Sequence, residues 1–137
     1  NANLNGAILV KANLSFAKLT NASLKNSVLT KANLKYANLI RTNLSHASLN
    51  GANLKDATMT EANLIGADLI GAALPRYMKG VNLTGANLTN AILVNVDFSG
   101  ADLTRANLTG ANLTGAKIDK ATLCNTITPW GLDNSGC

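Results

Sequence analysis

The chain has 137 residues, 14% of them charged and 4% aromatic, with a formal net charge of +5. That length suits one domain, and the shortage of aromatics excludes an aromatic-rich core in favour of an aliphatic one. A membrane span is excluded because Asn, Thr, Ser or Lys interrupts every apolar run well short of the ~18 residues required.

No charged n-region followed by an apolar stretch opens the sequence, and Asn1 stands in the middle of a repeat, which fits a processed or trimmed N-terminus. From there leucine recurs at every fifth position. Leu4 to Leu74 gives fifteen centres in strict register, all Leu except Met59, and Leu83 to Leu123 gives nine more, with Phe98 and Ile118 as the exceptions. Two residues before the 24 centres stands Ala in 20 cases, replaced by Ser27, Thr42, Val81 and Val96. Asn or Asp is commonest between the small and the large residue, and two turn-tolerant residues follow, often with Gly second.

Five is an awkward period for a helix, because successive leucines would advance by about 140° and spiral round the axis. In an extended segment residues two apart point the same way, so Ala and Leu share an inner face and Asn points out. The next two residues bend the chain, and Gly66, Gly85, Gly110 and Gly115 suit a backbone of positive φ. Four such corners close a square coil of 20 residues, with four leucines in the middle and four alanines letting the walls approach. Stacked at the strand spacing of about 4.8 Å, about six coils make an all-β rod of roughly 29 Å.

Between Leu74 and Leu83, nine apart, one residue is missing from the register. Counting back five from Leu83 puts Met78 in the interior as an unbranched substitute, but Arg76 then takes a position that is nearly always Ala. An unpaired guanidinium there is costly, so residues 75 to 77 are expected to leave the wall as a bulge starting at Pro75, which cannot donate to a ladder. The register break spans 75–80 within a β-helix of residues 1–123, followed by a cap of residues 124–137.

Residues 20 apart should stack on one face: Phe16 with Tyr36, Lys35 with Lys55, and Ile8 and Val10 with Val28 and Thr30. Ile8, Val10, Phe16, Val28, Lys35, Tyr36 and Lys55 therefore form a candidate partner surface of exposed apolar residues flanked by lysines. A simpler account is that more chain, or a second copy, covers this end, since an uncapped stack presents open strand edges. After Leu123, "CNTITPWGLDNSGC" abandons the period. Thr128 before Pro129 suits a helix N-cap followed by proline at the first helical position, and Trp130 and Leu132 are expected to cover the last leucine rung.

Runs such as "ANLTG" at 86–90, 106–110 and 111–115 resemble the A(N/D)LXX repeats of the pentapeptide-repeat family. The resemblance covers about nine-tenths of the chain and implies that family's right-handed quadrilateral β-helix. The tail is similar to that of cyanobacterial and chloroplast-lumen members, in which a terminal disulfide brackets the cap. Cys124 and Cys137, the only cysteines, would by that likeness be bonded, closing a loop for which chain entropy gives on the order of 3 kcal/mol. Bonding implies the thylakoid lumen or periplasm, whereas reduced thiols would fit the cytoplasm.

Little here promises chemistry. His46 is the only histidine and sits at a corner, and with two cysteines it does not supply the four ligands of a zinc site. Asp97 and Asp102 are best read as solvated wall residues, the recurrent glycines as corners rather than a phosphate loop, and the "NLT" triplets as products of the repeat rather than glycosylation sites. A rod packed solid with Leu and Ala offers no cavity for a small substrate. The reading is thus a non-catalytic structural or protein-binding module without catalytic residues, metal or cofactor, its partner an unidentified protein or a second copy meeting a coil end.

Two other readings compete. Some members of the resembled family mimic duplex DNA and bind DNA gyrase, but mimicry demands a negative surface. Residues 1 to 55 carry Lys11, Lys18, Lys25, Lys31, Lys35, Arg41 and Lys55 with no acid, while seven acids face five bases from Asp56 onward. That basic half could instead mark contact with nucleic acid or anionic lipid. Seven cations spread over four walls are too dilute for a nucleic-acid footprint.

Overall fold

The computed structural model describes residues 2–137. Four columns of parallel bridges run along it, beginning at Asn3, Ile8, Asn13 and Lys18, and each links a residue to the one 20 further on, as in Asn3 to Ser23 and Ile8 to Val28. These columns are the four walls of a quadrilateral β-helix, named here by their first residues.

The hydrogen bonds of one repeat explain the square. Leu4 N–H donates to Ser23 O at 2.7 Å and Gly6 N–H to Lys25 O at 2.9 Å, tying the coil to the next. Ala7 N–H turns back to Leu4 O at 3.1 Å, closing a four-residue turn at the corner. Its third residue must be left-handed, as in a type II turn: φ is 66° at Gly6 and between 53° and 62° at fourteen non-glycine residues, among them Phe16, Tyr36, His46 and Asp56. Each of these L-residues pays about 1 kcal/mol or more for that conformation, offset by the coil-to-coil bonds it completes.

The outward Asn or Asp has a specific task. Its side-chain oxygen accepts from the backbone N–H two residues on, as Asn13 does from Ser15 at 3.1 Å, Asn63 from Ile65 at 3.0 Å and Asp102 from Thr104 at 2.9 Å. That N–H opens the corner, and the Asx bond satisfies it locally. At several corners where Ser or Thr follows, its hydroxyl donates to the same oxygen, as Ser15 Oγ does to Asn13 and Thr89 Oγ1 to Asn87, each at 2.6 Å.

The core is one column of leucine rungs. Leu24, Leu44, Leu64, Leu83 and Leu103 are fully buried, as are Met59, Met78 and Phe98, and each such side chain contributes about 2 kcal/mol by leaving water. The polar exceptions at the alanine position keep their hydroxyls bonded: Ser27 to Leu24 O at 2.6 Å and Thr42 to Leu19 O at 2.7 Å. Leu4, Leu9 and Leu14 are only partly buried, with no coil stacked on their outer side among the described residues.

At the break the offset drops from 20 to 19, as Asn63 pairs with Asn82, Asp68 with Asn87 and Ala73 with Ile92, and returns to 20 at Tyr77 and Asp97. Met78 fills the interior as expected. The expectation that residues 75 to 77 leave the wall is corrected. Arg76 O accepts from Asp97 N at 2.7 Å and Tyr77 bridges Asp97, so both backbones stay in the wall. A corner of one residue, Pro75, replaces the usual two, and only the Arg76 side chain escapes, its guanidinium 5.6 Å from the Tyr77 ring centre. The cost of an inward guanidinium is thus avoided by turning one side chain. No bridge joins Thr58 to Tyr77, and this is where the ladder opens.

The tail also departs from expectation. The wall continues past Leu123, with Ile127 N–H donating to Ala106 O at 2.9 Å and Leu108 N–H to Ile127 O at 2.7 Å. No helical turn starts at Thr128. Strands β1 (Thr126–Thr128) and β2 (Gly131–Asp133) form an antiparallel hairpin around Pro129 and Trp130. Thr128 Oγ1 donates across that turn to Gly131 O at 2.7 Å, where a cap would instead accept from helical N–H groups. Trp130 and Leu132 lie 63% and 65% exposed and do not cover the last rung, because the hairpin pairing turns Thr126 and Thr128 inward instead. The chain then returns over the end, where Gly136 N–H donates to Leu123 O at 2.7 Å and Cys137 is bonded to Cys124.

Candidate interaction surface

The residues suggested by the sequence fall into two neighbourhoods. Ile8 is 81% exposed on its own wall, stacked on half-buried Val28, with Val10 at the following corner. Phe16, Tyr36, Lys35 and Lys55 belong to the corner between the Asn13 and Lys18 walls. There the rings of Phe16 and Tyr36 stack with centroids 4.9 Å apart, at positions 20 residues apart whose backbones are both left-handed. Lys35 Nζ sits 4.7 Å from the Tyr36 ring centre and 3.9 Å from Asp56. The structure does not bring the Ile8 group and the Phe16 group onto one wall.

The same corner holds a feature that spacing alone did not reveal. Beside Pro75 the surface is indented by a notch of about 330 Å³, lined by Lys55, Asp56, Leu74, Arg76, Ile92 and Val94. The notch is open to solvent. The signal was present in the sequence as the nine-residue interval between Leu74 and Leu83 together with apolar Ile92 and Val94 at outward-facing positions.

Possible chemistry elsewhere resolves into structure. His46 packs its ring over Gly66, where an added Cβ would stand 2.6 Å from Nδ1. Asp97 Oδ1 accepts from the Ser99 hydroxyl and from Ser99 N–H, which hold its carboxyl below the usual carboxylate range. For Asp102 partial burial pushes the other way, but bonds from Thr104 and Thr84 outweigh it and the pKa is again lowered. Arg41 Nε donates to Glu61 at 2.8 Å in an exposed pair that raises the arginine's pKa. Among the described residues no group of His, Cys, Asp and Glu could hold a metal ion, and no helix is long and apolar enough to cross a membrane.

Comparison with known proteins agrees with this geometry. The family model for pentapeptide repeats matches in eight copies, over residues 1–35, 37–74, 82–119 and 91–127. The chain belongs to the pentapeptide repeat family, and its fold is that family's right-handed quadrilateral β-helix. Among solved structures it is similar to HetL, a pentapeptide repeat protein involved in heterocyst differentiation regulation from the cyanobacterium Nostoc sp. strain PCC 7120. The identity is 34%, over 95% of this chain and 67% of that one, with a TM-score of 0.35. QnrB1, a plasmid-mediated fluoroquinolone resistance protein, is 19% identical over 99% of this chain and 78% of its own, with a TM-score of 0.67. A pentapeptide repeat protein from the Arabidopsis thaliana thylakoid lumen is 28% identical over 69% of this chain and 63% of its own, with a TM-score of 0.25. No curated protein is significantly similar to the chain.

Proposed function

We propose that the protein is a non-catalytic, disulfide-capped rod that serves as a structural or protein-binding module in an oxidising compartment, the thylakoid lumen or the periplasm. The observation that carries the reading is the Cys124–Cys137 bond fastening the cap across the last coil, since such bonds persist where thiols are not kept reduced. The filled interior and the corner surfaces support binding of a macromolecule rather than turnover of a small molecule. The likeness to a lumenal protein of Arabidopsis agrees with the compartment.

Mimicry of DNA toward gyrase is the competing reading. The seven cations of residues 1 to 55, a stretch without an acid, argue against it, and a fold shared with QnrB1 does not transfer a function.

The test is alkylation of protein taken directly from its native cells, followed by intact mass measurement without reductant, with chemical cross-linking of the same soluble fraction. A bonded cysteine pair and cross-links from the walls to one reproducible partner are the expected results. Two free thiols would overturn the compartment, and a rod without cross-links under several conditions would overturn the binding role.

A further inference from the structure

We propose that the notch beside Pro75 is a docking site for an acidic protein segment that inserts one aliphatic or aromatic side chain. The inference rests on the binding-module reading above and names its surface. Elsewhere along this corner the second position is filled by Phe16, Tyr36 and Asp56 before the break and by Asn95 and Gly115 after it, all left-handed. Pro75 alone turns the corner at the break, so one residue is missing from the column and the surface is hollow at that level.

Three apolar side chains stand in the gap among the charged ones. Leu74 forms part of the lining with Ile92 and Val94, which are 46% and 41% exposed. Ile92 stands where the repeat usually places Asn or Asp; its ladder partner toward the break is Ala73, too small to cover it on that side, and on the other side it pairs with Asn112. Tyr77 adds a further exposed ring beside the notch, and the Phe16 and Tyr36 stack continues the same corner toward the N-terminus.

The rim is cationic. Lys55 has no carboxylate within ion-pair distance among the described residues, and Arg76 rests only on the Tyr77 ring, while Asp56 is engaged by Lys35. Two cations without carboxylate partners over an apolar floor complement carboxylates flanking an apolar side chain, whose entry desolvates the floor while its neighbours reach the rim. A nucleic acid could reach the rim cations with its phosphates but would leave the apolar side chains of the notch unused. A second copy would bring a like net charge of +5.

The probe is a fluorescein-labelled peptide, Asp-Glu-Asp-Leu-Phe-Asp-Glu, titrated with the full chain by anisotropy, with a second peptide carrying Lys at every acidic position. Amide shifts of isotope-labelled protein report the location. The acidic peptide is expected to bind and to shift Tyr77, Ile92 and Val94. Lys55→Glu with Arg76→Glu should weaken binding by about tenfold or more, and Val94→Asp should weaken it as well. These side chains are exposed, so the melting temperature should not move, and a thermal scan of each variant checks this.

The proposal is overturned if the acidic peptide does not bind, binds the variants equally well, or shifts another wall. It is equally overturned if the lysine peptide or a duplex oligonucleotide occupies the same residues, or if sedimentation shows a dimer that the charge reversals dissolve. Failure of the peptide while cross-links place a native partner on another wall removes the notch and leaves the binding module standing. Absence of cross-links anywhere strikes the module itself.

Discussion

Reduction of the Cys124–Cys137 bond should loosen one end of the rod and leave its middle untouched. The bond closes a loop with a sequence separation of 13, and for that length loss of the cross-link costs on the order of 3 kcal/mol in the chain-entropy model. In a stack whose coils touch only their neighbours, this cost falls on the terminal coil. The affected bonds are Gly136 N–H to Leu123 O, Thr122 N–H to Ala101 O and Ile127 N–H to Ala106 O. If opening of that coil governs their exchange, 3 kcal/mol corresponds to about a hundredfold faster hydrogen exchange at these amides in Cys137→Ser or in reductant. Asn43 and Asn63, in the middle of the Asn3 wall, should exchange unchanged. Hydrogen exchange read by NMR on oxidised and reduced protein decides it. Uniform acceleration along the rod would mean that the coils unfold as one unit, and no acceleration at Thr122 and Ile127 would mean that the hairpin holds the end without the bond. Either result refutes the argument.

Leu64→Ala, at a fully buried rung, should cost about 2–5 kcal/mol, whereas Leu4→Ala at the partly exposed first rung should cost about 1 kcal/mol; denaturant melts monitored by circular dichroism compare them. Gly136→Ala should release the tail, because an added Cβ would collide with the Leu123 backbone nitrogen, and exchange at Gly136 should approach that of the reduced protein. Acid should destabilise the rod through Asp97, Asp102 and Asp133, whose pKa values are all lowered in the fold. A lowered folded pKa favours the ionised form, so this stability is complete above the unfolded value of about 4 and is lost as pH falls through the folded values. Thermal scans should show this decline below pH of about 4 and a smaller one in Asp97→Asn with Asp102→Asn.

The lattice of this fold was legible because one constraint repeats. Leu at the centre and Ala two before it can share an inner face only in an extended segment, and the same test places Met59, Met78 and Phe98 in the interior without further information. The prevalence of Asn is plain in the sequence but the Asx bonds are not, because the open N–H they satisfy exists only once the corner is built. The cap was misread where a local signal met a longer-range one. Thr128 followed by Pro129 suits a helix start, but Thr126, Ile127 and Thr128 also continue the inward, outward, inward alternation of the wall, and pairing with the preceding coil prevailed. Arg76 was judged by its side chain, whereas its backbone could remain in the ladder once the guanidinium turned onto Tyr77. The notch is hidden in the sequence for a related reason: a deletion is visible as a number, but the surface it uncovers depends on which residues stand in the adjacent coils.

The single-residue corner at Pro75 also bears on how the chain finds its pairing. Within either block of repeats, a segment slipped by five residues meets nearly the same alternation of Ala and Leu, so local sequence discriminates weakly among quarter-turn alignments. Across the break the interval between centres changes, and a wall built there at the usual five-residue interval would put Lys79 at the rung and turn every later leucine outward. The irregularity thus works as a fiducial mark in a periodic object. Every alignment that misses it by one residue is penalised, which fixes the phase of the second block of leucines against the first.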